Sequence, residues 1–210
     1  TPLTIAMPGI AGSFFRQKPF VFEVRDLWPE LPVAMKVVRN PILIWGLAGL
    51  ERLAYRRATT LIGLAPGIVA GIKKKAAPDK KVVFIPNSSD LELFTPGDGS
   101  QLVRGRIEAV FTGAHGIANG LDALLDAARV LQDRGRDDIR ITLIGDGKLK
   151  PNLVKRAANE GLRNVSFEDP LPKLALSERM AGCSVGLMIL KNVREFYEGT
   201  SPNKFFDYLA

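Results

Sequence analysis

Two hydrophobic periods alternate along this chain. Short apolar runs at 19–24, 60–64, 82–85, 109–112, 139–144, 164–167 and 185–190 have the length of buried strands. Between them lie stretches with helical spacing. The clearest is 119–134, where Leu121, Leu124, Leu125, Ala128 and Leu131 share one face. Helices are also expected at 42–57, 149–160 and 173–181, with a shorter one ending near Ala76 after the Ala65-Pro66-Gly67 turn. Strands alternating with helices of this length predict parallel sheets joined by right-handed crossovers. Residues 1–15, with glycines at 9 and 12, give no element by this reading. The stretch 96–101 is rich in Pro, Gly and Ser without periodicity and reads as a linker. The pattern therefore predicts an α/β protein of two Rossmann-like halves, 1–97 and 98–210, each incomplete.

Composition narrows the class. The 210 residues are 46% hydrophobic, normal for a globular core, and the single cysteine, Cys183, excludes an internal disulfide. No run of 18 apolar residues offers a membrane span. The net charge of +7 is uneven: 1–100 hold 13 Lys/Arg against 8 Asp/Glu, and 101–210 hold 16 against 14. The first half thus carries most of the basic excess, with Lys73-Lys74-Lys75 and Lys80-Lys81 among it. Without a nucleic-acid motif or interleaved aromatics, nucleic acid is not the expected partner. An anionic membrane surface is the competing reading, since 42–57 combines Trp45 and apolar residues with a basic end. A plain core helix is the simpler account of the same stretch.

Candidate chemistry gathers in three places. The last stretch, Gly199-Thr200-Ser201-Pro202-Asn203-Lys204-Phe205-Phe206-Asp207-Tyr208-Leu209-Ala210, reads as a helix start with Ser201 as cap and Pro202 at the first position. Lys204 in the first turn can add charge to an anion site there, and Asp207 can accept from sugar hydroxyls. The loop 113–120 follows a strand and carries Gly113, Gly116, Asn119 and the only histidine, His115. Its glycines do not fit the G-x-G-x-x-G fingerprint, but free amides there can face phosphate. Arg25 and Asp26, in Arg25-Asp26-Leu27-Trp28-Pro29-Glu30, follow the first strand at the edge where α/β sheets bind ligands. An ordinary surface Arg–Asp pair explains the same residues. The sequence holds no Asp-x-Asp, Walker or cysteine/histidine metal spacing.

These motifs carry a resemblance. Pro202-Asn203-Lys204-Phe205-Phe206-Asp207-Tyr208-Leu209-Ala210 resembles the donor-site motif of retaining GT-B-type glycosyltransferases (family 4-like, group 1), with Asp207 in place of Glu. Arg25-Asp26-Leu27-Trp28-Pro29-Glu30 is similar to a motif of members that build lipid-linked glycans. Ile85-Pro86-Asn87, Gly145-Asp146-Gly147, the Asn-Val-x-Phe at 164–167 and the Pro-x-Pro at 170–172 also match, so the resemblance runs from about Phe20 to Ala210. It implies that Asp207 holds the nucleotide ribose, that backbone near Leu171 receives the base, and that the amides of Gly199, Thr200 and Ser201 hold the diphosphate. It further implies Lys204 as the charge on the leaving group, with Glu198 and His115 as further catalytic candidates. Arg25 and Asp26 fall on the acceptor side. Family members carry Glu one place after Glu198, and Arg and Lys where Ala114 and Asn119 stand here.

The expectation is a metal-independent glycosyltransferase, moving a sugar from a nucleotide diphosphate donor to a lipid-linked or cell-surface glycan acceptor with retention. Its expected place is the cytoplasm, peripheral to the inner face of the cell membrane. Two rivals are a nucleotide-sugar epimerase on the same fold and a non-catalytic module that binds a membrane or an anionic polymer. The chain starts without Met and stops within a helical pattern, which reads as a piece of something longer.

Overall fold

A computed structural model describes residues 2–97, 102 and 104–210. It shows two compact units, Thr1–Asn87 with Asn192–Pro202, and Ser88–Lys191 with Asn203–Ala210. The chain thus changes unit at 87/88, 191/192 and 202/203, where the sequence pattern put a single change at 97/98. Most of the expected linker falls on 98–101, outside the described residues.

The first unit holds a parallel sheet of β1 (Val21–Val24), β2 (Thr60–Gly63) and β3 (Val82–Phe84), in that order. Val21 pairs with Thr60, and Leu61 with Val82. Its helices are α1 (Ala6–Arg16), α2 (Glu30–Ala34), α3 (Pro41–Arg57), α4 (Pro66–Lys75) and α8 (Arg194–Glu198). The element at α1 is absent from the hydrophobic pattern because Pro8, Gly9 and Gly12 interrupt it. Pro8 lies in the first turn, where its missing N–H breaks no helical bond. Gly9 is there for contact: a Cβ would lie 2.7 Å from the Phe20 ring. The core joins Phe20, Phe22, Leu47, Leu61, Ile68 and Ile72. Asn40 caps α3, its Oδ1 accepting from Ile42 N–H at 2.9 Å, with Pro41 at the first helical position.

The second unit holds β4 (Ile107–Thr112), β5 (Ile139–Ile144), β6 (Val165–Glu168) and β7 (Val185–Gly186), parallel and ordered β6-β5-β4-β7. Its helices are α5 (Asp122–Asp133), α6 (Lys150–Asn159), α7 (Lys173–Ala181) and α9 (Asn203–Leu209). Alternation in the central strands sorts the faces. Ala109, Phe111, Ile141 and Leu143 join one apolar cluster with Leu124, Leu125 and Ala128 of α5 and Leu153 and Ala157 of α6. Between them Glu108 and Thr142 belong to a polar network. Arg179 of α7 donates to Glu168 at 2.9 Å and Glu108 at 3.2 Å, and Thr142 Oγ1 donates to Glu108 at 2.5 Å. The run 185–190, expected as a full strand, pairs only at Val185 and Gly186.

Candidate functional site

The C-terminal edge of the second sheet is built from close backbone contact. Gly113, Gly145 and Gly147 all have φ between +126° and +155°, a region a Cβ disfavours. A Cβ on Gly145 would lie 2.0 Å from Gly113 O, and one on Gly147 would lie 2.7 Å from His115 O. The loops after β4 and β5 therefore press together. Gly113 N–H donates to Ile144 O and His115 N–H to Asp146 O, at 2.9 and 2.8 Å. The intervening N–H groups of Ala114 and Gly116 have no protein partner among the described residues. This alternation leaves two amides on a loop whose residues 113 and 114 are exposed, an arrangement that suits an anion.

The segment α9 docks on this edge through its aromatic residue. Tyr208 Oη accepts from Thr112 N–H at 2.9 Å and lies 3.0 Å from Thr112 Oγ1, and its ring fills the space a Cβ on Gly186 would need. Lys204, one turn earlier, lies on the same helical face. Its ammonium is 3.7 Å from the Phe111 ring centroid and 3.5 Å from Asn119 Oδ1, and it is the nearest side chain to Gly113. Among the described residues it has no carboxylate partner, and burial pushes its pKa down to about 8. Asp207 is half-buried, with Oδ1 accepting from Ser89 Oγ at 2.7 Å.

His115 lies elsewhere than on a solvated loop surface. Its ring is fully buried, 6.2 Å from Phe111 and 6.3 Å from Phe167, and neither ring nitrogen has a partner among the described residues. Burial first, then Lys150, lower its pKa, which favours the neutral ring. Lys150 is a cation that no motif in the sequence singles out. It donates to Gly145 O, Glu168 O and Asp169 Oδ1 at 2.9, 3.0 and 2.7 Å, tying the β5 and β6 loops together. Its place five residues after Gly145, at the start of α6, is the one available signal. Leu171 is exposed in the loop between β6 and α7, and Gly116 and Asn119 stay in the β4 loop, where Asn119 Nδ2 donates to Ala114 O at 2.7 Å.

The remaining candidates belong to the first unit. Gly199 packs against the start of α4, where a Cβ would lie 2.8 Å from Ile68. Ser201 was expected to cap the final helix. Instead its Oγ accepts from Asn87 N–H at 3.2 Å, and α9 begins at Asn203. Thr200 is half-buried beside it, and the side chain of Glu198 lies outside the described residues. Arg25 pairs with Glu23 at 2.7 Å and, with Asp26 and Trp28, lines a small pocket that reaches Glu51 and Tyr55. Glu51 is buried. Burial raises its pKa against the pull of Lys75, whose Nζ donates to both carboxylate oxygens at 2.8 and 2.9 Å, to Trp28 O at 3.2 Å, and pairs with Glu30 at 2.6 Å. Lys75 thereby fixes the turn after Asp26.

The chain is 25% identical over 182 residues to a Pseudomonas aeruginosa protein named "Probable glycosyltransferase WbjE", a match covering 82% of this chain and 44% of that one. The structure superposes on Anabaena HepE, solved in complex with UDP and glucose, with a TM-score of 0.68 at 15% identity, covering 89% of this chain and 50% of HepE. It superposes on WaaG, a glycosyltransferase involved in lipopolysaccharide biosynthesis, with a TM-score of 0.64 at 17% identity, covering 81% and 50%. No family model matches. The chain spans about half the length of these relatives. With two parallel sheets of three and four strands, it has the fold of the GT-B glycosyltransferases, in incomplete halves.

Proposed function

We propose that this chain belongs to a glycosyltransferase that moves a sugar from a nucleotide diphosphate donor to a lipid-linked or cell-surface glycan acceptor, with retention and without a metal. The observation that carries this reading is Lys204: a half-buried ammonium with no carboxylate partner among the described residues, beside an exposed glycine loop with two open amides. A partly desolvated cation without a counter-charge is costly, and a diphosphate relieves that cost. The likeness to HepE, which was solved with UDP, agrees with such a donor.

In the proposed reaction the bond from the anomeric carbon to the diphosphate breaks, and its electron pair stays on the diphosphate. The acceptor oxygen bonds to that carbon on the same face, and its proton passes to the departing diphosphate. Lys204 and the amides of Ala114 and Gly116 stabilise the charge as it grows. Asp207 holds the ribose, and backbone near Leu171 receives the base. Amides at 199–201 are assigned to the diphosphate, and Arg25 and Asp26 to the acceptor.

A membrane acceptor is favoured by the first unit's outer helices. Phe14, Phe15, Ile42 and Trp45 are 68–81% exposed, and a groove of about 560 Å³ is lined by Ile10, Phe14, Phe15, Phe20, Lys18 and Arg57. The only carboxylate in α1 and α3 is Glu51, which is buried; the exposed charges are Arg16, Arg52, Arg56 and Arg57. Apolar anchors with cations alone suit an anionic bilayer, here the cytoplasmic face. Among the described residues no helix is long and apolar enough to cross a membrane.

The test is release of nucleotide diphosphate from UDP-sugars in the presence of lipid-linked glycan extracts. Release that needs acceptor and survives EDTA is expected. Conversion of the donor without acceptor points to an epimerase, and binding without turnover to a non-catalytic module; either sinks the proposal.

A further inference from the structure

The second unit holds a contact that neither the donor motif nor the glycine loop accounts for. Ser89 lies in the irregular segment after β3, 118 residues before Asp207, and both side chains are half-buried. The Ser89 hydroxyl spends its one proton on Asp207 Oδ1, at 2.7 Å. Two acceptors then stand side by side with no donor of their own: Asp207 Oδ2, which has no protein partner among the described residues, and the lone pairs of Ser89 Oγ. A bare carboxylate accepts two hydroxyls at a fixed, narrow spacing and can rotate. One pinned by a serine presents a single free oxygen and a second acceptor beside it, in one orientation.

We propose that Ser89 is a specificity-determining residue that, with Asp207, recognises the 2′,3′-diol of the donor ribose. The assignment rests on the reading of Asp207 as the ribose-binding carboxylate. One diol hydroxyl donates to Asp207 Oδ2 and the other to Ser89 Oγ. A nucleotide lacking either hydroxyl leaves one acceptor unpaired, which is how polar sites reject deoxy analogues. A purely structural Ser89, tying its segment to α9, would not distinguish the sugars.

The experiment measures UDP, 2′-deoxy-UDP and 3′-deoxy-UDP binding by calorimetry to the wild type and to Ser89→Ala and Ser89→Thr. Wild type is expected to prefer UDP over each deoxy form by about tenfold or more. Ser89→Ala should lose the preference at one hydroxyl and keep it at the other. Ser89→Thr, which retains the hydroxyl, should restore it. If Ser89→Ala weakens all three nucleotides equally, or leaves both preferences intact, the Ser89 assignment is overturned while the donor reading stands. If wild type binds UDP with no ribose preference, the Asp207 reading falls and Ser89 with it. If wild type binds none of the three, the uridine diphosphate donor reading falls, and with it both assignments.

Discussion

The outer helix pairs of the two units meet solvent in opposite ways. In the second unit α5 and α6 are laced by ion pairs: Arg156 reaches Asp122, Asp126 and Glu160, and Arg129 reaches Glu160 at 2.7 Å. In the first unit α1 and α3 expose Phe15 and Trp45 with cations and no carboxylate. The cations are distributed in the reverse sense. The first unit leaves Arg16, Arg56 and Arg57 in the open, whereas the second half-buries Lys204 without an acid beside it. A surface of exposed rings and guanidiniums suits an extended anionic partner, and a desolvated ammonium suits a compact one. On the proposed reading, one unit is organised around a surface and the other around a small ligand.

The sharpest way to break that contrast is Lys204→Ala. Turnover should fall on the order of a hundredfold, as for loss of one transition-state donor, while liposome binding stays at the wild-type level. Lys204→Arg should recover only part, since a planar fork places its charge elsewhere than an ammonium. Near-normal turnover with only a raised Michaelis constant would make Lys204 a binding group. On the first unit, the double change Phe15→Glu and Trp45→Glu should weaken sedimentation with anionic vesicles roughly thirtyfold, for about 2 kcal/mol of lost apolar contact. UDP affinity should not move. Equal binding of wild type to neutral and anionic vesicles at low salt would remove the membrane from the first unit's account.

Smaller effects sharpen the comparison. Asp207→Ala should cost about tenfold in UDP affinity with the fold intact, read by calorimetry and circular dichroism. The pH response of Lys204 should have opposite signs in two assays. Between pH 7 and 9 the ammonium is lost through a pKa of about 8, so UDP affinity should fall by up to about tenfold. The unfolded lysine holds its proton up to about 10.5, so the unfolded chain binds more protons in that window. Stability from this group should therefore rise as pH climbs from about 8 toward 10.5. A pH-independent affinity in wild type, or one that persists in Lys204→Ala, excludes the lysine as its source. Smallest of all, Arg156→Ala should lower stability by about 1 kcal/mol in urea unfolding, because its pairs are largely exposed. It should touch neither vesicle nor nucleotide binding.

How much of this was legible depends on where the information sits. The strands β4 and β5 could be read because apolar residues crowd short stretches of strand length between helical patterns, and the expected bounds of α7 match the structure to the residue. The helix α1 could not be read, because Gly9 answers to Phe20 and Pro8 to the helix start, not to periodicity. The β7 run was apolar throughout, yet only two of its residues pair, a matter of neighbours rather than composition. Of the proposed site, Lys204, Asp207 and the glycine loop could be named from local spacing. Ser89 and Lys150 could not, since each acts through contacts made by the folded chain. His115 looked like a loop residue because a loop carries it, but its ring turns into the core.

The excursion of Asn192–Pro202 into the first unit has a consequence for how such proteins can be recombined. The second unit is closed by a piece of chain that arrives only after the first unit has received α8 and Ser201. A single crossover at 87/88 would therefore graft a new second unit together with a foreign 192–202 strap, and Asn87 would face a stranger in place of Ser201. Exchanging the whole second unit between relatives calls for three junctions, at 87/88, 191/192 and 202/203, so that the strap stays with its own unit. Chimeras built with one junction should express less folded protein than those built with three.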